Sequence, residues 1–93
     1  NLRVGRWNNG QSLRNNCLVD ELAVYDEDVS SLSSDIYNNG SAVDLMNLTT
    51  EPKHWWRMGD GDQYPYLFDV GSEANCIFIM NNMTVADIVS DVP

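Results

Sequence analysis

Asp60, Asp62 and Asp69 stand in and after a turn that Gly59 and Gly61 free to fold tightly. Carboxylate oxygens gathered in such a turn are the hard ligands that calcium takes. The spacing is not that of an EF-hand loop, because no Glu follows at the twelfth position, and the same residues also read as a solvated acidic turn. Trp7, Trp55, Trp56, Tyr64 and Tyr66 form a second chemical group. Aromatic planes stack on the apolar faces of sugar rings, and they also fill cores and protein interfaces. Cys17 and Cys76 lie far apart and outside any metal-type pair spacing. They fit one inter-strand disulfide or two buried thiols.

Catalysis finds little support. Asp20 and Glu21 are adjacent, so on a strand they point to opposite faces, whereas glycoside hydrolysis needs two carboxyls facing one cleft. The single His54 sits beside two tryptophans, with no local Ser/His/Asp signature. The expectation is therefore a chain with no catalytic residues. Asn39-Gly40-Ser41, Asn47-Leu48-Thr49 and Asn82-Met83-Thr84 match the N-glycosylation pattern, which Asn-rich chains also meet by chance.

Charge narrows the partners. The chain has 93 residues and a net charge of −9, with 14 acidic against 5 basic side chains. A phosphate backbone needs a Lys/Arg footprint, so nucleic acid is not an expected partner. Anionic membrane surfaces are disfavoured for the same reason, and no apolar run reaches the roughly 18 residues of a membrane span. Cation binding or docking on a basic protein remains.

The elements that must position these groups come next. Cys17 to Asp26 alternates, with Leu18, Asp20, Leu22 and Val24 on one face and Val19, Glu21, Ala23 and Tyr25 on the other. That period reads as a strand, and Asp20 interrupts its apolar face. Leu2 to Trp7 reads as an earlier strand ending in the Asn8-Asn9-Gly10 turn. Ser30 to Asn38 carries apolar residues at helical spacing, with Ser30 as N-cap and Gly40 as stop. Residues 41–53 read as a connector running along a surface through Leu45, Met46 and Leu48. In the last block, His54 begins an aromatic strand. Tyr64 to Asp69 follows the Gly/Asp turn, Cys76 to Met80 reads as a buried strand, and Thr84 to Val89 as a short helix.

Val-Asp-Glu-Leu-Ala-Val-Tyr-Asp (19–26), the acidic turn after it, and the helix ending in Ile-Tyr-Asn-Asn-Gly (36–40) resemble the closing segment of laminin-G-like, concanavalin A-like jelly-roll domains. Trp-Trp-Arg-Met-Gly-Asp-Gly-Asp (55–62) resembles the opening of such domains. The block 54–93 is similar to the C-terminal tail of virion proteins of tailed bacteriophages, notably marine ones. The resemblance implies an all-β jelly-roll sandwich, or its C-terminal part, with two short helices. It divides the chain into closing strands and helix (1–40), a connector (41–53) and a C-terminal β block (54–93). It also implies that Asp20 joins Asp60, Asp62 and Asp69 in a calcium site linking the opening and closing strands. A full sandwich needs roughly twice this length, so part of a larger domain, or a unit completed by neighbours, is expected. The function implied is a non-enzymatic virion structural protein, in capsid decoration, fibre or appendage. It would be located in the virion and dock on other virion chains in a homo- or hetero-oligomer, with host glycan as a further contact. A calcium-assisted carbohydrate-binding module of a secreted or surface protein is the alternative.

Overall fold

A computed structural model describes residues 19–81 and 83–88. The expected Leu2–Trp7 strand, Trp7 itself and Cys17 fall outside these residues.

Everything described is arranged around β2 (His54–Trp56). On one edge it pairs antiparallel with β1 (Leu22–Val24), with Leu22 opposite Trp56, Ala23 opposite Trp55 and Val24 opposite His54. On its other side the chain returns through residues 69–73. Trp56 bridges Asp69, Val70 N donates to Trp55 O at 2.8 Å, and Glu73 N donates to Lys53 O at 2.9 Å. A second antiparallel pair, β3 (Tyr66–Leu67) with β4 (Phe78–Ile79), packs against β2 through Phe78, whose ring centroid lies 4.4 Å from that of Trp56.

The alternation around Asp20 gives a strand shorter than expected. Glu21 has φ 54°, in the left-handed region, and a residue there cannot continue an extended run. Among the described residues of this stretch only Leu22–Val24 pairs. The expected helix is a single 3-10 turn at Ser30–Leu32 leading into α1 (Ser33–Tyr37). Its N-cap position is Val29 rather than Ser30, and Ser30 N donates to Asp28 Oδ1 at 2.9 Å. It stops at Asn38, Asn39 and Gly40, all with positive φ, a conformation that Asn and Gly reach at least cost. The connector packs, with Asp44 capping the turn Leu45–Asn47 and Leu45 only 3% exposed. At the other end the expected Thr84–Val89 helix is, over the described residues 84–88, one 3-10 turn, Val85–Asp87, held by Thr84 N donating to Asp87 Oδ2 at 2.6 Å.

The all-β expectation is met in part: the described residues form a small mixed fold, two small antiparallel sheets and a short helix. Strands of two or three residues are too short for stacked sheets, and positive-φ turns and carboxylate caps take up the backbone donors that a ladder would use. Alternation sends Trp55 and Trp56 to opposite faces of β2, so only one would be buried if the other face were wet; they are 3% and 2% exposed. Both faces of β2 are covered. Over Trp55 lies the Arg57 guanidinium, 5.2 Å from the ring centroid, and Trp55 Nε1 donates to Glu21 Oε2 at 2.6 Å. Over Trp56 lies Phe78, and Trp56 Nε1 donates to Cys76 O at 2.9 Å.

Candidate functional site

Asp69 is the buried carboxylate of the chain's centre, its side chain 2% exposed. Its Oδ1 accepts from Trp55 N and Gly71 N, both at 3.0 Å. Its Oδ2 accepts from Asn75 N and Cys76 N, both at 3.2 Å, and pairs with His54 Nδ1 at 2.6 Å. One side chain thus gathers donors from β2, from its own turn and from the loop before β4. His54 is fixed in turn by this bond and by its ring stacking on Trp56, at 5.9 Å and 18°.

Burial alone would raise the Asp69 pKa. The hydrogen bonds from His54, Trp55, Gly71 and Cys76 outweigh it and bring the carboxyl down to about 2. A depressed carboxyl stabilises the fold fully above its unfolded value and ceases to do so as pH falls through the folded one. Stability should therefore drop by about 2 kcal/mol between roughly pH 4 and pH 2, read from urea midpoints across that range.

Gly71 shows how closely this turn lies on β2. A Cβ there would overlap Lys53 O, 2.6 Å from Lys53 C and 2.7 Å from His54 Cα. These are backbone atoms that cannot step aside, so Gly71→Ala should cost about 2 kcal/mol or more, measured by thermal unfolding.

The other carboxylates are also engaged in structure. Burial raises the Glu21 pKa against the opposing pull of Trp55 and Arg57, and Glu21 Oε1 receives Arg57 Nε at 3.3 Å. Asp62 closes its turn by accepting Gly59 N at 2.8 Å and Phe68 N at 2.7 Å. Asp60 pairs with Arg57 Nη2 at 3.0 Å.

The expected calcium set is therefore not assembled. Asp20, Asp60, Asp62 and Asp69 do not share a cluster. Among the described residues the group within metal-ligand reach is His54, Asp69 and Cys76, whose ligand atoms lie within 4.8 Å of one another. Cys76 carries a free, exposed thiol, contrary to the buried alternative. Sequence reasoning missed His54 and Cys76 because the three residues come from separate segments. The available signal was Asp69-Val70-Gly71, an Asp whose side chain reaches the amide two residues on, the pattern of an Asx turn.

Of the candidate aromatics, Trp55 and Trp56 are buried and cannot stack on a sugar. Tyr64 and Tyr66 are 38% and 45% exposed. Register explains Tyr66: it lies opposite Ile79, and Leu67 opposite Phe78, so Tyr66 and Ile79 share the face turned away from Trp56. Ile77 and Ile79 are exposed, and Tyr64 Oη donates to the carbonyl of the exposed Met83 at 2.6 Å. An apolar outer surface results. Asn39 and Asn47 are exposed, while Asn82 lies outside the described residues. No helix among the described residues is long and apolar enough to cross a membrane.

No family model matches this chain, and neither the curated proteins nor the solved structures contain a match.

Proposed function

We propose that the chain is a non-enzymatic structural protein of a tailed-phage virion that acts by docking on neighbouring protein chains in capsid decoration, fibre or appendage. In this reading it is the closing part of a concanavalin A-like jelly-roll unit completed by those neighbours. The observation that carries the docking reading is the outer face of the β3–β4 pair, where Tyr66, Ile77 and Ile79 stand exposed beside Tyr64 and Met83. Exposed apolar side chains grouped on a short sheet with open edges favour protein contact. The virion assignment rests on the sequence resemblance. The structural engagement of the carboxylates adds support for a non-enzymatic role, since Asp69, Glu21 and Asp62 are tied to backbone amides, Trp55 or Arg57.

Charge indicates the partner surface. Every acidic residue except Asp91 lies among the described residues, and the two cations there, Lys53 and Arg57, are already ion-paired. The docking partner is therefore apolar with a basic rim. Ile79 is 67% exposed, so Ile79→Asp should change folding stability by less than about 0.5 kcal/mol. The same change should abolish incorporation into assembled particles, scored by mass spectrometry of purified virions. Incorporation at the unsubstituted level would contradict the proposal. Glycan-array binding that needs Tyr64 and Tyr66 but not particle assembly would instead favour the carbohydrate-binding alternative.

A further inference from the structure

We propose that His54, Asp69 and Cys76 form a binding site for a zinc-class divalent cation. The site is independent of the docking face. An imidazole nitrogen, a carboxylate oxygen and a thiol sulfur lie within 4.8 Å of one another, brought together by the start of β2, its antiparallel return and the loop before β4. Thiolate and imidazole select zinc, cobalt and their neighbours, whereas calcium and magnesium take oxygen alone. Ligand atoms around a tetrahedral zinc stand about 3.3–3.7 Å apart, given bonds of about 2.0–2.3 Å. Loading the site therefore needs about 1 Å of closure by the Cys76 sulfur, whose side chain is exposed and donates to Asn75 Oδ1 at 3.3 Å. His54 and Asp69, 2.6 Å apart, open slightly as the ion replaces the proton between them. The backbone amides of Trp55, Gly71, Asn75 and Cys76 keep the carboxylate oriented as outer support. The exposure of Cys76 leaves the fourth position to water.

The test titrates cobalt(II), then zinc, into the reduced 93-residue chain carrying Cys17→Ser, so that Cys76 supplies its sole thiol. One equivalent of cobalt should produce a thiolate-to-cobalt charge-transfer absorption, which zinc should bleach and calcium should not. Adding Cys76→Ser should abolish that band with the circular dichroism spectrum unchanged, because the side chain is exposed. His54→Gln should weaken cobalt binding at least about tenfold. Absence of the charge-transfer band would overturn the proposal, as would a His54→Gln chain that binds cobalt with undiminished affinity.

Discussion

Replacing Asp69 by Asn should destabilise the chain by about 3 kcal/mol or more. The substitution keeps the shape of the side chain and one carbonyl oxygen. It turns the other oxygen into an amino group that faces donors, since Oδ1 receives Trp55 and Gly71 and Oδ2 receives Asn75, Cys76 and His54. Whichever way the amide is turned, at least two backbone N–H groups lose their acceptor. Each buried donor left unpaired costs about 1–3 kcal/mol, and the charge-assisted bond to His54 is lost as well. Small domains have only about 5–15 kcal/mol of stability in total, so the variant should unfold at a visibly lower urea midpoint. It should also lose the acid limb that the Asp69 carboxyl produces between roughly pH 4 and pH 2.

Trp56→Ala should cost about 3–5 kcal/mol, the range for a large aromatic removed from a core. Trp56 is 2% exposed and touches three units at once. Its ring stacks on His54 at 5.9 Å, Phe78 packs on it at 4.4 Å, and its Nε1 donates to Cys76 O. Truncation therefore releases the β3–β4 pair from β2 as well as opening a cavity. Trp56→Phe should separate these effects, since it keeps most of the packing but leaves the Cys76 carbonyl without its donor, at about 1–3 kcal/mol. Denaturant melts followed by circular dichroism measure both. A Trp56→Ala chain as stable as the Phe variant would show that the β3–β4 unit does not depend on this ring.

The elements readable in advance were those written in local residue types. The aromatic run at His54–Trp56, the Gly/Asp turn after it, the short helix and its stop at Asn38–Gly40 all follow from side-chain pattern and backbone preference. The errors came where a distant group decided the outcome. Period-two alternation assigns Trp55 and Trp56 to opposite faces correctly, but it cannot report that Glu21 and Arg57 cover one face while Phe78 covers the other. Glu21 does this from a left-handed backbone, at φ 54°, and that same break sets the start of the paired segment at Leu22 among the described residues. Asp69 was singled out for its carboxyl, but with the wrong partners. Its main partners are backbone amides, which every residue possesses and which therefore leave no mark in composition. His54 and Cys76 meet it only because residues 69–76 fold back along β2, a pairing that no motif spacing encodes.

The amide protons of Trp55, Gly71, Asn75 and Cys76 offer the most direct test that one buried carboxylate organises this molecule. In a two-dimensional nitrogen–proton titration they should share a single protonation step at about 2. Four amides that titrate independently, or that follow an ordinary carboxyl near 3.8, would contradict the account.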